Sequence, residues 1–194
     1  MKEIEEQRQG RNKNTVINHT YMNSGEYRRK FDCISNSPKL NRLLFQLAKK
    51  MLLHRSGTVY EDMYWVDLDT VTVVAQETEK NIEEGIEYSE KTKAAIKKYN
   101  HLLTIHSHPN SFPPSVADFN SNFDNQYVVG IIVCHDGKIY IYRAEEKLSN
   151  DYYSLIVAEH LKIEYNEFKA QMKALEELRE KFEIEFKEVT GDDV

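Results

Sequence analysis

The chain has 194 residues, 40% of them apolar and 30% charged, and a formal net charge of −6. That length supports one domain with a proper core, and the acidic balance speaks against a general nucleic-acid surface. No apolar run approaches membrane-spanning length, the first residues lack the apolar centre of a signal peptide, and Cys33 and Cys134 form no close pair, so we expect a cytoplasmic protein with no membrane partner.

Residues 1–36 are polar, with scattered aromatics at Tyr21, Tyr27 and Phe31, and read as a partly ordered arm. Residues 37–194 read as a single domain. Ser37-Pro38 starts a helix, Ser37 as its N-cap, and Leu40, Leu43, Leu44, Leu47, Ala48, Met51 and Leu52 recur at helical spacing. His54, Arg55, Ser56 and Gly57 end it. Residues 58–67 and 71–75 form an antiparallel hairpin, with Met63 and Trp65 on one face and Tyr64 and Val66 on the other. Asp62 is expected to face solvent. Residues 76–90 are an acidic loop, and Ser89-Glu90-Lys91 opens a short helix.

Leu102-Leu103-Thr104-Ile105 then reads as a buried strand running into His106. Beyond the segment that follows it, Tyr127–Cys134 is nearly all apolar, as in a central strand covered on both faces. His135-Asp136-Gly137-Lys138 is a hairpin turn, His135 is expected as a turn or surface histidine, and the partner strand returns over 138–143. A helical pattern from Asp151 to about Phe182, with a break near Tyr165-Asn166, supports the sheet, and residues 182–189 alternate as an edge strand. The sum is a mixed α/β domain with a mostly antiparallel sheet flanked by helices.

The chemistry gathers in His106-Ser107-His108-Pro109-Asn110-Ser111-Phe112-Pro113-Pro114-Ser115-Val116-Ala117-Asp118. Alternation along a strand turns His106 and His108 to one side and Ser107 to the other. The prolines impose a stiff turn, after which Ser115 caps a helix carrying Asp118 at its third position. Taken alone, a His-x-His pair is compatible with a surface turn and Ser-x-x-Asp with a plain helix cap. In this order they form two imidazoles and a carboxylate with a fourth tetrahedral position open, the pattern of a catalytic zinc site.

These residues resemble the signature of the JAMM (MPN+, JAB) metalloproteases, and the chain is most similar to their bacterial branch. The resemblance covers the motif and the element order from about residue 38 to 145. The family usually has one residue more between the second His and the Ser, so the turn here is tighter. The resemblance implies a JAMM, cytidine-deaminase-like fold and a Zn2+ cofactor held by His106, His108 and Asp118. It implies hydrolysis of peptide or isopeptide bonds in a protein or peptide substrate, ubiquitin-like conjugates included. The zinc-bound water would be the nucleophile and an upstream Glu the general base. Glu61 is the first candidate for that base and Glu77 the second; Ser115 would cap the helix, donate to the oxyanion, or both. Asn110, Ser111 and Phe112 would form the rim.

Other classes weigh less. A non-catalytic JAMM-like scaffold is the alternative, but such members usually lack intact ligands. A zinc deaminase would need a Pro-Cys-x-x-Cys element, which the chain does not contain. A thiol protease on Cys134 is disfavoured because that cysteine lies within an apolar strand.

Overall fold

The structure, a computed structural model, describes residues 15–83, 85–110 and 112–191. Their architecture is a six-stranded mixed sheet with seven flanking helices. The helices are α1 (His19–Met22), α2 (Gly25–Asp32), α3 (Pro38–Arg55), α4 (Glu90–Ile96), α5 (Val116–Asp124), α6 (Asn150–Glu164) and α7 (Glu167–Lys181). The strands are β1 (Met63–Asp67), β2 (Thr72–Glu77), β3 (Leu102–His108), β4 (Val129–Cys134), β5 (Ile139–Ala144) and β6 (Ile184–Glu188). Their order across the sheet is β2-β1-β3-β4-β5-β6. Only β3 and β4 pair in parallel, and α5 makes the crossover that a parallel pair requires.

Both faces of the sheet are covered, which explains the unbroken apolar run of β4. Ile131 and Val133 join Tyr64, Val66, Leu103 and Ile105 under α3. Ile132 and Cys134 point the other way and pack with Phe119 of α5 and with Leu175 and Leu178 of α7. Met63 and Trp65 form a third cluster with Ile96, Leu102 and Tyr127, where the Trp65 indole N–H donates to the Tyr127 hydroxyl at 2.9 Å. The expected split of β1 side chains between two faces is therefore observed.

Local signals account for most boundaries. Leu40 N–H donates to Ser37 Oγ at 3.3 Å, and Pro38 occupies the first turn of α3. The C-terminal pattern divides where expected: Tyr165, left-handed at φ 51°, ends α6, and Asn166 caps α7. β6 is an edge strand, as its alternation suggests.

The described part of the N-terminal segment differs from a polar arm. Residues 15–36 carry α1 and α2, and Tyr27 and Phe31 are fully buried. These two rings stand four apart on one helical stripe, 5.3 Å between centroids, and Phe31 meets Phe45 of α3 at 5.5 Å. Two aromatic anchors outweigh the polar composition around them, because each removes a large apolar surface from water. Residues 1–14 lie outside the described residues.

One glycine is dictated by packing. Gly130 of β4 sits opposite Tyr142 of β5, and a Cβ there would lie 2.1 Å from the Tyr142 ring. That ring is backed by Phe119 at 5.6 Å, so it has no easy retreat. Gly130→Ala is expected to destabilise by about 1–3 kcal/mol, the usual cost of overpacking. For a chain of this size that lowers Tm by roughly 2–12 °C. An unchanged melting curve would show that the ring moves freely.

Candidate metal centre

β3 delivers the two histidines. Leu103 and Ile105 face α3, so strand parity turns His106 and His108 to the opposite side. Ser107, between them, points back, and its Oγ accepts from Asp62 N–H at 3.0 Å. The tight turn after His108 still closes: α5 begins at Val116, and its third residue returns beside the histidines. Asp118 and Ser115 form a reciprocal cap. Asp118 N–H donates to Ser115 Oγ at 3.2 Å, while Ser115 N–H and Oγ each donate to Asp118 Oδ2 at 2.7 Å. The cap thus fixes the rotamer that presents the carboxylate.

The three side chains converge. His106 Nε2 is 3.1 Å from His108 Nε2 and 3.2 Å from Asp118 Oδ1, and His108 Nε2 is 3.7 Å from Asp118 Oδ2. Donors about 2.0–2.1 Å from a tetrahedral metal stand roughly 3.3–3.4 Å apart. The observed separations bracket that spacing, and neutral imidazole with carboxylate is a suitable donor set for a divalent ion. His108 Nδ1 lies 3.3 Å from the Phe112 carbonyl, a contact that holds the ring with Nε2 toward the centre. Burial works against ionising Asp118, but the two histidines and the Ser115 hydroxyl outweigh it and hold the carboxyl well below its ordinary range.

A cavity of about 710 Å³ opens over this group. Glu61, Met63, Ile86, Asn110, Phe112, Ser115, Tyr142, Tyr153 and Glu167 are among the residues that line it with the triad. Its charged side chains are carboxylates, with no Lys or Arg among the described lining residues. A second cavity, about 530 Å³, lies at the other end of β3 by Leu102 and Tyr127. It is lined by Lys93 and Lys97 but by no His, Cys, Asp or Glu among the described residues, and so offers nothing for a metal. Tyr88 lines both cavities.

The two candidate bases have different surroundings. Met63 pairs with His106, and Ser107 N–H donates to the Asp62 carbonyl at 3.0 Å, so the ladder continues one residue beyond β1. Alternation then puts Glu61 on the histidine side, and it lines the cavity. Glu77 does not line it. Its Oε1 accepts from Ser89 N–H at 2.8 Å and Ser89 Oγ at 2.5 Å, capping the approach to α4. Burial opposes ionisation of Glu77, but those bonds prevail and lower its pKa. Asn110 and Phe112 line the cavity as expected of a rim, and Ser111 lies outside the described residues.

Two expectations are corrected. Asp62 does not face solvent: it is 1% exposed, 2.5 Å from Arg55 Nε and 2.7 Å from His54 Nδ1. Alternation does send it away from Glu61, but that face lies beneath α3 rather than in water. His135 is not a surface histidine either. It is 2% exposed, and its Nδ1 meets the Thr15 carbonyl at 2.6 Å across a separation of 120 residues. Burial lowers its pKa against that bond, favouring the neutral ring. Burial likewise pushes the Cys134 thiol well above its ordinary value, the reverse of a nucleophile's need. Among the described residues no helix is long and apolar enough to cross a membrane. Comparison with protein-family models, with curated proteins and with solved structures gives no match.

Proposed function

We propose that the protein is a zinc-dependent hydrolase of peptide or isopeptide bonds, of the JAMM kind, acting in the cytoplasm on proteins or peptides, with ubiquitin-like conjugates among the possible substrates. The observation that carries this reading is the convergence of His106, His108 and Asp118 on one point of an open cavity that Glu61 also lines. Three protein ligands leave a fourth position for chemistry.

A zinc ion held by His106, His108 and Asp118 would supply a Lewis acid for the scissile carbonyl and would lower the pKa of a water in the fourth position to about 7 from 15.7. Glu61 accepts the proton of the attacking water and hands it to the departing amine, so one carboxylate serves as base and then as acid. Ser115 supports the oxyanion. A hydroxyl donates once and accepts twice, so Ser115 Oγ can turn its proton to the substrate while still accepting from Asp118 N–H. Ser115 N–H keeps hold of Asp118 Oδ2 meanwhile. Phe112 and Tyr153 give the cavity apolar wall on which a chain can lie.

The test is amine release from an unfolded protein and from a peptide carrying a Lys isopeptide branch. The expected result is release from at least one of them, abolished by a zinc chelator and restored by added zinc. No chelator-sensitive release from either would set hydrolysis aside in favour of a non-catalytic scaffold.

A further inference from the structure

Arg55 and Asp62 form a buried ion pair that the proposed chemistry does not use. Asp62 is 1% exposed and the Arg55 side chain 5% exposed. Such a pair is a weak source of stability, because desolvating both charges offsets most of their attraction. Its placement is more informative than its strength. The Asp62 carboxylate lies on the α3 face, under the end of that helix. Its own N–H and C=O bond to Ser107, the residue between His106 and His108. Glu61 is the preceding residue, alternating onto the cavity side. A slip of one position along this ladder would exchange the two carboxylates between faces.

Arg55 reaches further than Asp62. Its Nη2 donates to the carbonyls of Thr78 at 2.8 Å and Lys80 at 3.0 Å, and its Nη1 donates to Asn81 Oδ1 at 2.9 Å. These bonds anchor the start of the acidic segment whose later residues, Gly85, Ile86 and Tyr88, line the same cavity as His106, His108 and Glu61. One planar guanidinium thus ties together the segment bearing Glu61 and the segment forming a cavity wall. Lysine could keep the charge but not this many fixed donors.

We propose that Arg55, Asp62 and Ser107 are positioning residues: a clamp behind the sheet that sets the register of Glu61 against His106 and His108 and holds the wall facing them. This inference rests on the reading of Glu61 as the base of a metal site.

The test uses full-length protein loaded with Co2+, whose visible spectrum reports its coordination. The spectrum is followed against pH beside metal content and Tm. Glu61→Gln removes a negative charge beside the site, which makes loss of a proton there easier, so the spectral midpoint moves to lower pH. Arg55→Lys and Ser107→Ala, each checked for a cooperative melt, are expected to move it the same way by at least half as much. Metal content stays at about one per chain. Lys147→Met, which breaks the exposed pair with Asp124, leaves the midpoint alone. If Glu61→Gln shifts the midpoint while Arg55→Lys and Ser107→Ala do not, the pair is merely structural and this inference falls while the metal site stands. If Glu61→Gln causes no shift, Glu61 is not the base, and the clamp falls with it. A wild-type protein that takes up no cobalt or zinc overturns the metal reading and this inference together.

Discussion

Replacing His106 or His108 by alanine is expected to strip the protein of the proposed zinc, from about one ion per chain to a small fraction of that. On the proposed reading each histidine supplies one of three protein donors, and the remaining two would not close the coordination sphere. Loss of an outer-shell partner alone typically weakens a metal site by about 10–100-fold, and loss of a ligand costs more. The fold is expected to persist in both variants, because the histidines lie at the cavity end of β3 while Leu103 and Ile105 anchor that strand in the core. His101→Ala is the control. That histidine is exposed, pairs with Asp69 at 3.0 Å, and stands outside the triad, so zinc content should hold. Elemental analysis after dialysis reads all three, and full retention of zinc in both ligand variants would contradict the assignment.

Glu61→Gln is the second large effect, and it separates chemistry from binding. Glutamine keeps the shape and a hydrogen bond but cannot accept and return a proton. Zinc content and Tm should hold nearly steady, while turnover falls by on the order of 10²–10⁴, the usual contribution of positioned proton transfer. Glu77→Gln should leave turnover unchanged, since that carboxylate is engaged by Ser89 and does not line the cavity. The reverse pattern, with Glu77 essential and Glu61 silent, would move the base to β2.

The parts of this molecule that were legible in its sequence are those governed by local periodicity. His106 and His108 share a side because strands alternate with period two. Asp118 returns beside them because Ser115 and Asp118 make a reciprocal cap, and caps have a fixed spacing. The break at Tyr165-Asn166 and the edge position of β6 follow from equally local patterns. What escaped depends on which surface lies opposite. Asp62 reads as a solvent-facing strand residue, and only the packing of α3 makes its side of the sheet dry; Arg55, seven residues earlier, reads as a helix-end cation until it is seen against a carboxylate. His135 sits in a hairpin turn whose sequence suggests solvent; the Thr15 carbonyl that buries it comes from the far end of the chain. Tyr27 and Phe31 did carry a signal, a spacing of four, that the polar residues around them masked.

The measurement that tests the central claim most directly is anomalous scattering from a crystal of the zinc-loaded protein, recorded on both sides of the zinc edge. The account predicts one strong peak per chain, about 2.0–2.2 Å from the Nε2 atoms of His106 and His108 and from a carboxylate oxygen of Asp118. A peak held by other residues, or zinc-loaded crystals with no peak between these three side chains, would contradict it.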